Sequence, residues 1–192
     1  MRVPWRTDLQ APDQKNVPIL KVRLMQTSIE SRSTRNPVLG LCGWLVLCFI
    51  AAAVGGLASA NAGDFYSQLV RPNWAPPAWL FAPVWTTLYA KMAVAAWLVW
   101  KDKGWRGAST SLTVFVVQLA ANALWTWIFF VWHLGAAAFA EILLLWLLIA
   151  ATALMFRRIH KLAGALLLPY LLWVSFASAL TYAMWQGNPH IL

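Results

Sequence analysis

Trp85, Tyr89, Met92 and Ala96 recur at i, i+4, i+7 and i+11, which puts them on one face of a helix. Gln118, Asn122 and Trp125 follow at i, i+4 and i+7, and Trp173, Ala177 and Thr181 repeat every four residues. Indole and phenol rings offer stacking faces, alanines leave room, and two amides offer donors and acceptors. Such a set suits non-covalent capture of a flat apolar guest, each good ring contact adding about 0.5–1.5 kcal/mol beyond the area buried. Two readings stand for Trp85, Trp125 and Trp173: pocket walls, or plain packed core. Two also stand for Gln118 and Asn122: a ligand contact, or interhelical hydrogen bonds worth about 0.6–2 kcal/mol. Trp79, Trp97, Trp100, Trp105, Trp132 and Trp185 sit at the ends of apolar runs, where tryptophan anchors to a membrane interface.

Above these stripes lies residues 66–85, whose last fourteen positions hold Pro72, Pro76, Pro77, Pro83, Trp74, Trp79 and Trp85. Proline fixes φ and removes a donor, so the segment is neither an ordinary helix nor a central strand. In a membrane protein such backbone is tolerated at the surface or over a protein-lined cavity. A stiff aromatic lid over a binding site is the expectation.

Catalytic signatures are missing. The chain has no glycine-rich phosphate loop, no Cys-x-x-Cys, no paired-histidine metal motif and no nucleophile elbow. His133, His160 and His190 lie in loops or at the end, too far from the stripes to ligate a haem iron, so a planar guest would be held by stacking. Cys42 and Cys48 share one apolar run on different helix faces, which points to buried inert thiols. Lys91 near the middle of a span is a costly ion, about 2.5–3.5 kcal/mol on insertion scales. It either snorkels or pairs with Glu141, although an axial offset of about 9 Å stands against a direct pair.

Placing these residues falls to five apolar runs near 38–60, 81–100, 110–131, 137–156 and 164–186, each close to the ~20 residues a bilayer span needs. By this register the stripes share a slab roughly 6–20 Å below one surface. The chain is 61% hydrophobic and 11% charged with mean hydropathy +0.62, which excludes an ordinary soluble domain. The expected architecture is an all-α integral membrane bundle of five helices over 37–192, preceded by a flexible basic tail over 1–36. The tail holds seven Lys/Arg against three acids. The net charge of +9 lies outside the apolar runs, so its partner is the membrane surface and not nucleic acid. The tail, Lys101–Arg106 and Arg157–Lys161 fall on one side and Arg71 alone on the other, which puts the N-terminus in the cytoplasm by the positive-inside rule. Ala51, Gly55, Ser59 and, beside them, Ala52, Gly56, Ala60 form small-residue rows that serve either packing within the bundle or a homodimer.

Arg71-Pro72-x-Trp74-x-Pro76-Pro77-x-Trp79-x-Phe81-x-Pro83-Val84-Trp85-Thr86-x-Leu88-Tyr89, then Gln118-Leu119-x-x-Asn122-Ala123-Leu124-Trp125, then Pro169-Tyr170-x-x-Trp173-x-x-Phe176-Ala177 resemble the tryptophan-rich sensory protein/translocator protein (TspO/MBR) family. The likeness spans about residues 40–189. It implies a five-helix bundle, commonly a homodimer, whose cavity is closed by the first loop and takes porphyrin, haem, sterols or drug-like planar molecules, with no cofactor required. Carried onto matching positions, the ligand contacts are Tyr66, Pro76, Trp85, Tyr89, Asn122, Trp125, Trp173 and Ala177. Three activities follow from it: a receptor or sensor for porphyrin-like ligands, a light-dependent porphyrin-degrading enzyme, or a tetrapyrrole or lipid transporter. The sterol pattern is broken, because no Lys or Arg follows Tyr182, and Thr181 stands where the family often has asparagine.

Overall fold

The structure, a computed structural model, describes residues 36–192, and these are all-helical apart from short connections. Most of the expected tail lies outside the described residues. Its last residue, Asn36, caps the first helix α1 (Pro37–Ala58) by accepting from the Val38 N–H at 3.0 Å. Pro37 opens that helix, where a missing N–H is no loss. Then come α2 (Ala62–Gln68), a 3-10 turn (Ala78–Leu80), α3 (Phe81–Gly107), α4 (Ser109–Phe130), α5 (Gly135–Ile159), α6 (Lys161–Leu166) and α7 (Leu168–Gly187).

Four segments are long and apolar enough to cross a membrane: α1, α4, α5 and the α6–α7 stretch Lys161–Gly187. The protein is therefore an integral membrane protein with several apolar spans. The 27-residue α3 is as long, but Lys91, two threonines and four tryptophans dilute its apolar character. It is nonetheless central to the packing. It touches α1, α4, α5 and α6, and Met92, Ala93, Ala95, Ala96 and Val99 on it are fully buried. Its buried face is mostly apolar, whereas Thr86 and Thr87 are exposed and Lys91 is half-buried.

Three boundaries differ from expectation. The connection over 61–80 is not a bare loop: seven residues coil into α2 because burying Tyr66 and Leu69 fixes them against the bundle. The charged run from Lys101 continues α3, since Lys and Asp side chains reach water without breaking the helix. Gly104, at φ 66° and ψ 178°, then kinks it, a conformation that glycine adopts without Cβ strain. The last span is interrupted at Leu167, just before Pro169, whose ring cannot donate to the preceding turn.

The small-residue rows separate in the structure. A Cβ at Gly55 would stand 3.2 Å from Thr126 Oγ1 on α4, so this glycine permits close approach within the bundle. A Cβ at Gly56 would meet nothing within 4 Å. Cys48 is buried as expected, whereas Cys42 is exposed on the outer face of α1, because six residues turn the helix face away from the core.

The lid is fastened at two places. Tyr66 Oη donates to the Pro76 carbonyl at 3.0 Å, closing the proline-rich bend onto α2. At the far end, Asn188 accepts from Val70 N–H at 2.8 Å and donates to Val70 O at 3.0 Å and Met184 O at 2.8 Å.

Candidate functional site

The α3 and α4 stripes meet through their polar atoms. Tyr89 Oη donates to Asn122 Oδ1 at 2.5 Å, and Gln118 Nε2 donates to Met92 Sδ at 3.6 Å. All four side chains are buried, Gln118 completely. The side-chain oxygen of Asn122 and the side-chain nitrogen of Gln118 are thus used between helices. The Gln118 Oε1 remains buried with no hydrogen-bond partner.

Trp85 is half-buried, its ring 5.8 Å from Tyr89 and 6.1 Å from Tyr170. Trp173, also half-buried, meets Phe81 at 5.9 Å and Phe176 at 5.6 Å, and Phe81 in turn meets Tyr66 edge-on at 5.8 Å. One string of rings therefore runs from the lid to α7 and another from α7 through Trp85 to Asn122. Pro76 joins the first string through Tyr66, and Ala177 packs beside Trp173 on the larger core cluster. Trp125 makes its ring contacts along its own helix: it stacks on Phe129 at 5.3 Å and meets Phe130 at 5.9 Å, bridging the two core clusters. At the lid, burial raises the Tyr66 hydroxyl above its ordinary pKa, opposed by the positive charge of Arg71, whose guanidinium lies 5.0 Å over the ring.

Two residues of this site escape a reading by stripes. Tyr170 is fully buried, within electrostatic reach of Tyr89, Asn122 and Glu141. Its place three residues before Trp173 on a helix is a signal that periodicity offers. Glu141 on α5 has both carboxylate oxygens buried without a hydrogen-bond partner. Also unpartnered are Tyr170 Oη, Trp125 Nε1 and Trp173 Nε1. Buried polar atoms are nearly always satisfied, and each unsatisfied one costs about 1–3 kcal/mol. The bundle thus holds three unused buried donors and two unused buried acceptor groups.

Lys91 does not pair with Glu141. It faces a cavity of about 600 Å³ between α3 and α7, lined also by Leu88, Trp173 and Phe176. A second cavity of about 450 Å³ opens beneath α2, between the ends of α1 and α4, with Asp64 and His133 in its wall. His133 stacks on Phe65 at 4.3 Å, and His160 caps α6 by accepting from Ala163 N–H at 3.4 Å, so both have structural roles.

Helices wrapped on a buried aromatic and amide centre beneath a proline-rich connection describe a polytopic helical membrane protein. The TspO/MBR family model matches residues 44–186. The tryptophan-rich protein TspO of Chlorobaculum tepidum is 40% identical over 154 residues, covering 79% of this chain and 96% of that protein. Protein CrtK of Rhodobacter capsulatus is 37% identical over 150 residues, 76% of this chain and 91% of its own. The translocator protein of Ovis aries is 40% identical over 126 residues, 65% and 75% respectively. The chain belongs to the TspO/MBR family of membrane proteins.

Proposed function

We propose that the chain is a five-span membrane receptor or sensor, α3 being the fifth span, that binds a porphyrin-like tetrapyrrole between Trp85, Trp173 and the lid. Tyr66, Pro76, Tyr89, Asn122, Trp125 and Ala177 complete the contacts. The observation that carries this reading is the concentration of unpartnered buried donors and acceptors, Trp173 Nε1, Tyr170 Oη and Gln118 Oε1 among them, in a bundle otherwise closed by ring contacts. A planar macrocycle with acidic arms and ring N–H groups offers partners of both kinds, and stacking on indoles supplies the rest without iron ligation. The N-terminus lies in the cytoplasm, where the basic loops face anionic lipid, and the lid lies on the opposite side. Two copies associate as a homodimer through the open face of α1 around Gly56.

Titrating protoporphyrin into detergent-solubilised protein and following tryptophan quenching and the Soret shift tests this. Trp85→Ala and Trp173→Ala are each expected to weaken binding by about tenfold while the protein stays helical and folded. Unchanged affinity in both variants removes the proposal.

A further inference from the structure

We propose that the groove between α3 and α7 is a second binding site, taking a single-chain amphiphile whose carboxylate pairs with Lys91. The groove is lined by Val84, Thr87, Lys91, Pro169, Leu172 and Phe176 among others. It opens outward: Leu172 is 71% exposed and Pro83, Thr87 and Pro169 are exposed too. Its walls are apolar apart from Thr87, whose hydroxyl already donates to Pro83 O, and Lys91.

Lys91 is the chemical key. It lies ten residues from Phe81 and ten from Lys101, about 15 Å from each along the helix, near the middle of a hydrocarbon core of ~30 Å. No described residue is its counter-ion. The described acids are Asp64 in α2, Asp102 at the far end of α3, and Glu141, whose oxygens make no hydrogen bond. An unpaired ammonium at that depth is costly, and an anion brought to it removes both net charges from the hydrocarbon. An acidic phospholipid is a poor match, because its phosphate is tethered at headgroup depth. A second copy of the chain is poorer still, since the acids of its spans are Glu141, buried in its own bundle, and Asp102, at a helix end. A free long-chain carboxylic acid can sink to Lys91, and the groove beside it runs about 16 Å along α3 to Leu80, a path that an acyl chain can follow.

Full-length protein in zwitterionic vesicles is labelled with a photoactivatable clickable palmitic acid, and the cross-linked peptides are mapped by mass spectrometry. Label is expected on α3 and α7 around Thr87 and Leu172, displaced by oleate at least about tenfold better than by oleyl alcohol. Lys91→Met should lower labelling by about tenfold while Lys91→Arg keeps it. The labelling and the oleate competition are read with no porphyrin present, so failure here is separable from failure of the receptor reading. Equal competition by the alcohol, undiminished labelling of Lys91→Met, or label away from the groove overturns the site. Displacement by acidic phospholipid vesicles as effective as by oleate, or loss of label when Leu172→Cys protein is disulfide-linked into a dimer, overturns it in favour of those occupants.

Discussion

Asn188 holds the backbone of Val70, 118 residues earlier, through both halves of its amide: the oxygen accepts at 2.8 Å and the nitrogen donates at 3.0 Å. The same nitrogen donates to Met184 O, which fixes the amide to the last turn of α7. The side chain is nearly fully buried, so these bonds are shielded from water. The lid is thereby tied to the end of the final helix at one margin and, through Tyr66 and Pro76, to itself at the other.

Replacing Asn188 with alanine removes three hydrogen bonds and leaves the Val70 groups seeking water. A loss of about 1–3 kcal/mol is expected at the latch, read as faster proteolysis within 69–80 and faster protoporphyrin release, with the far-UV spectrum unchanged. Release at the parent rate shows that the latch does not govern the lid.

Tyr89→Phe strips Asn122 Oδ1 of its donor in a buried place, and unfolding in detergent should come about 1–3 kcal/mol earlier. Adding Asn122→Leu should recover part of this, because removing both partners leaves nothing unsatisfied. A double-mutant cycle measures the coupling, and additive effects would mean that the two groups do not depend on each other.

Glu141 has both carboxylate oxygens buried without a hydrogen bond, so Glu141→Leu is expected to raise the unfolding free energy of ligand-free protein by about 1 kcal/mol or more, and Glu141→Gln, whose amide stays unpaired, to raise it less. A lowered midpoint in both variants would contradict the absence of a partner.

The two neighbouring glycines of α1 should respond in opposite ways. Gly55→Leu drives a side chain into Thr126 and destabilises the monomer by about 1–3 kcal/mol. Gly56→Leu has open space and should leave the unfolding midpoint alone, but shift a dimer to monomer in analytical ultracentrifugation. An undisturbed dimer would move the interface away from this face.

What the sequence makes legible here is local. Apolar length and the three- and four-residue spacing of Tyr89, Met92 and Ala96, and of Gln118 and Asn122, identify helices and the faces they bury, because lipid forces amides inward. The four-residue connection before α5 forces a hairpin whatever its sequence. Legibility fails where a partner comes from far along the chain. Asn188 looks like a helix terminator, and nothing near it announces Val70. Lys91 and Glu141 attract one another as opposite charges on paper, yet they sit on faces turned to a groove and to the interior. The helix of Ala62–Gln68 is too short to show periodicity, and it exists because Tyr66 and Leu69 find a core to enter. Trp125 shares a stripe with Asn122 but leans on Phe129, a choice made by neighbouring rings and invisible to spacing.

The N–H groups of Ile191 and Leu192 both fold back onto the Asn188 carbonyl at 3.0 Å. The residue that grips Val70 by its side chain is thus itself gripped through its backbone. Strain placed on this turn is therefore passed to the proline-rich connection through a single residue.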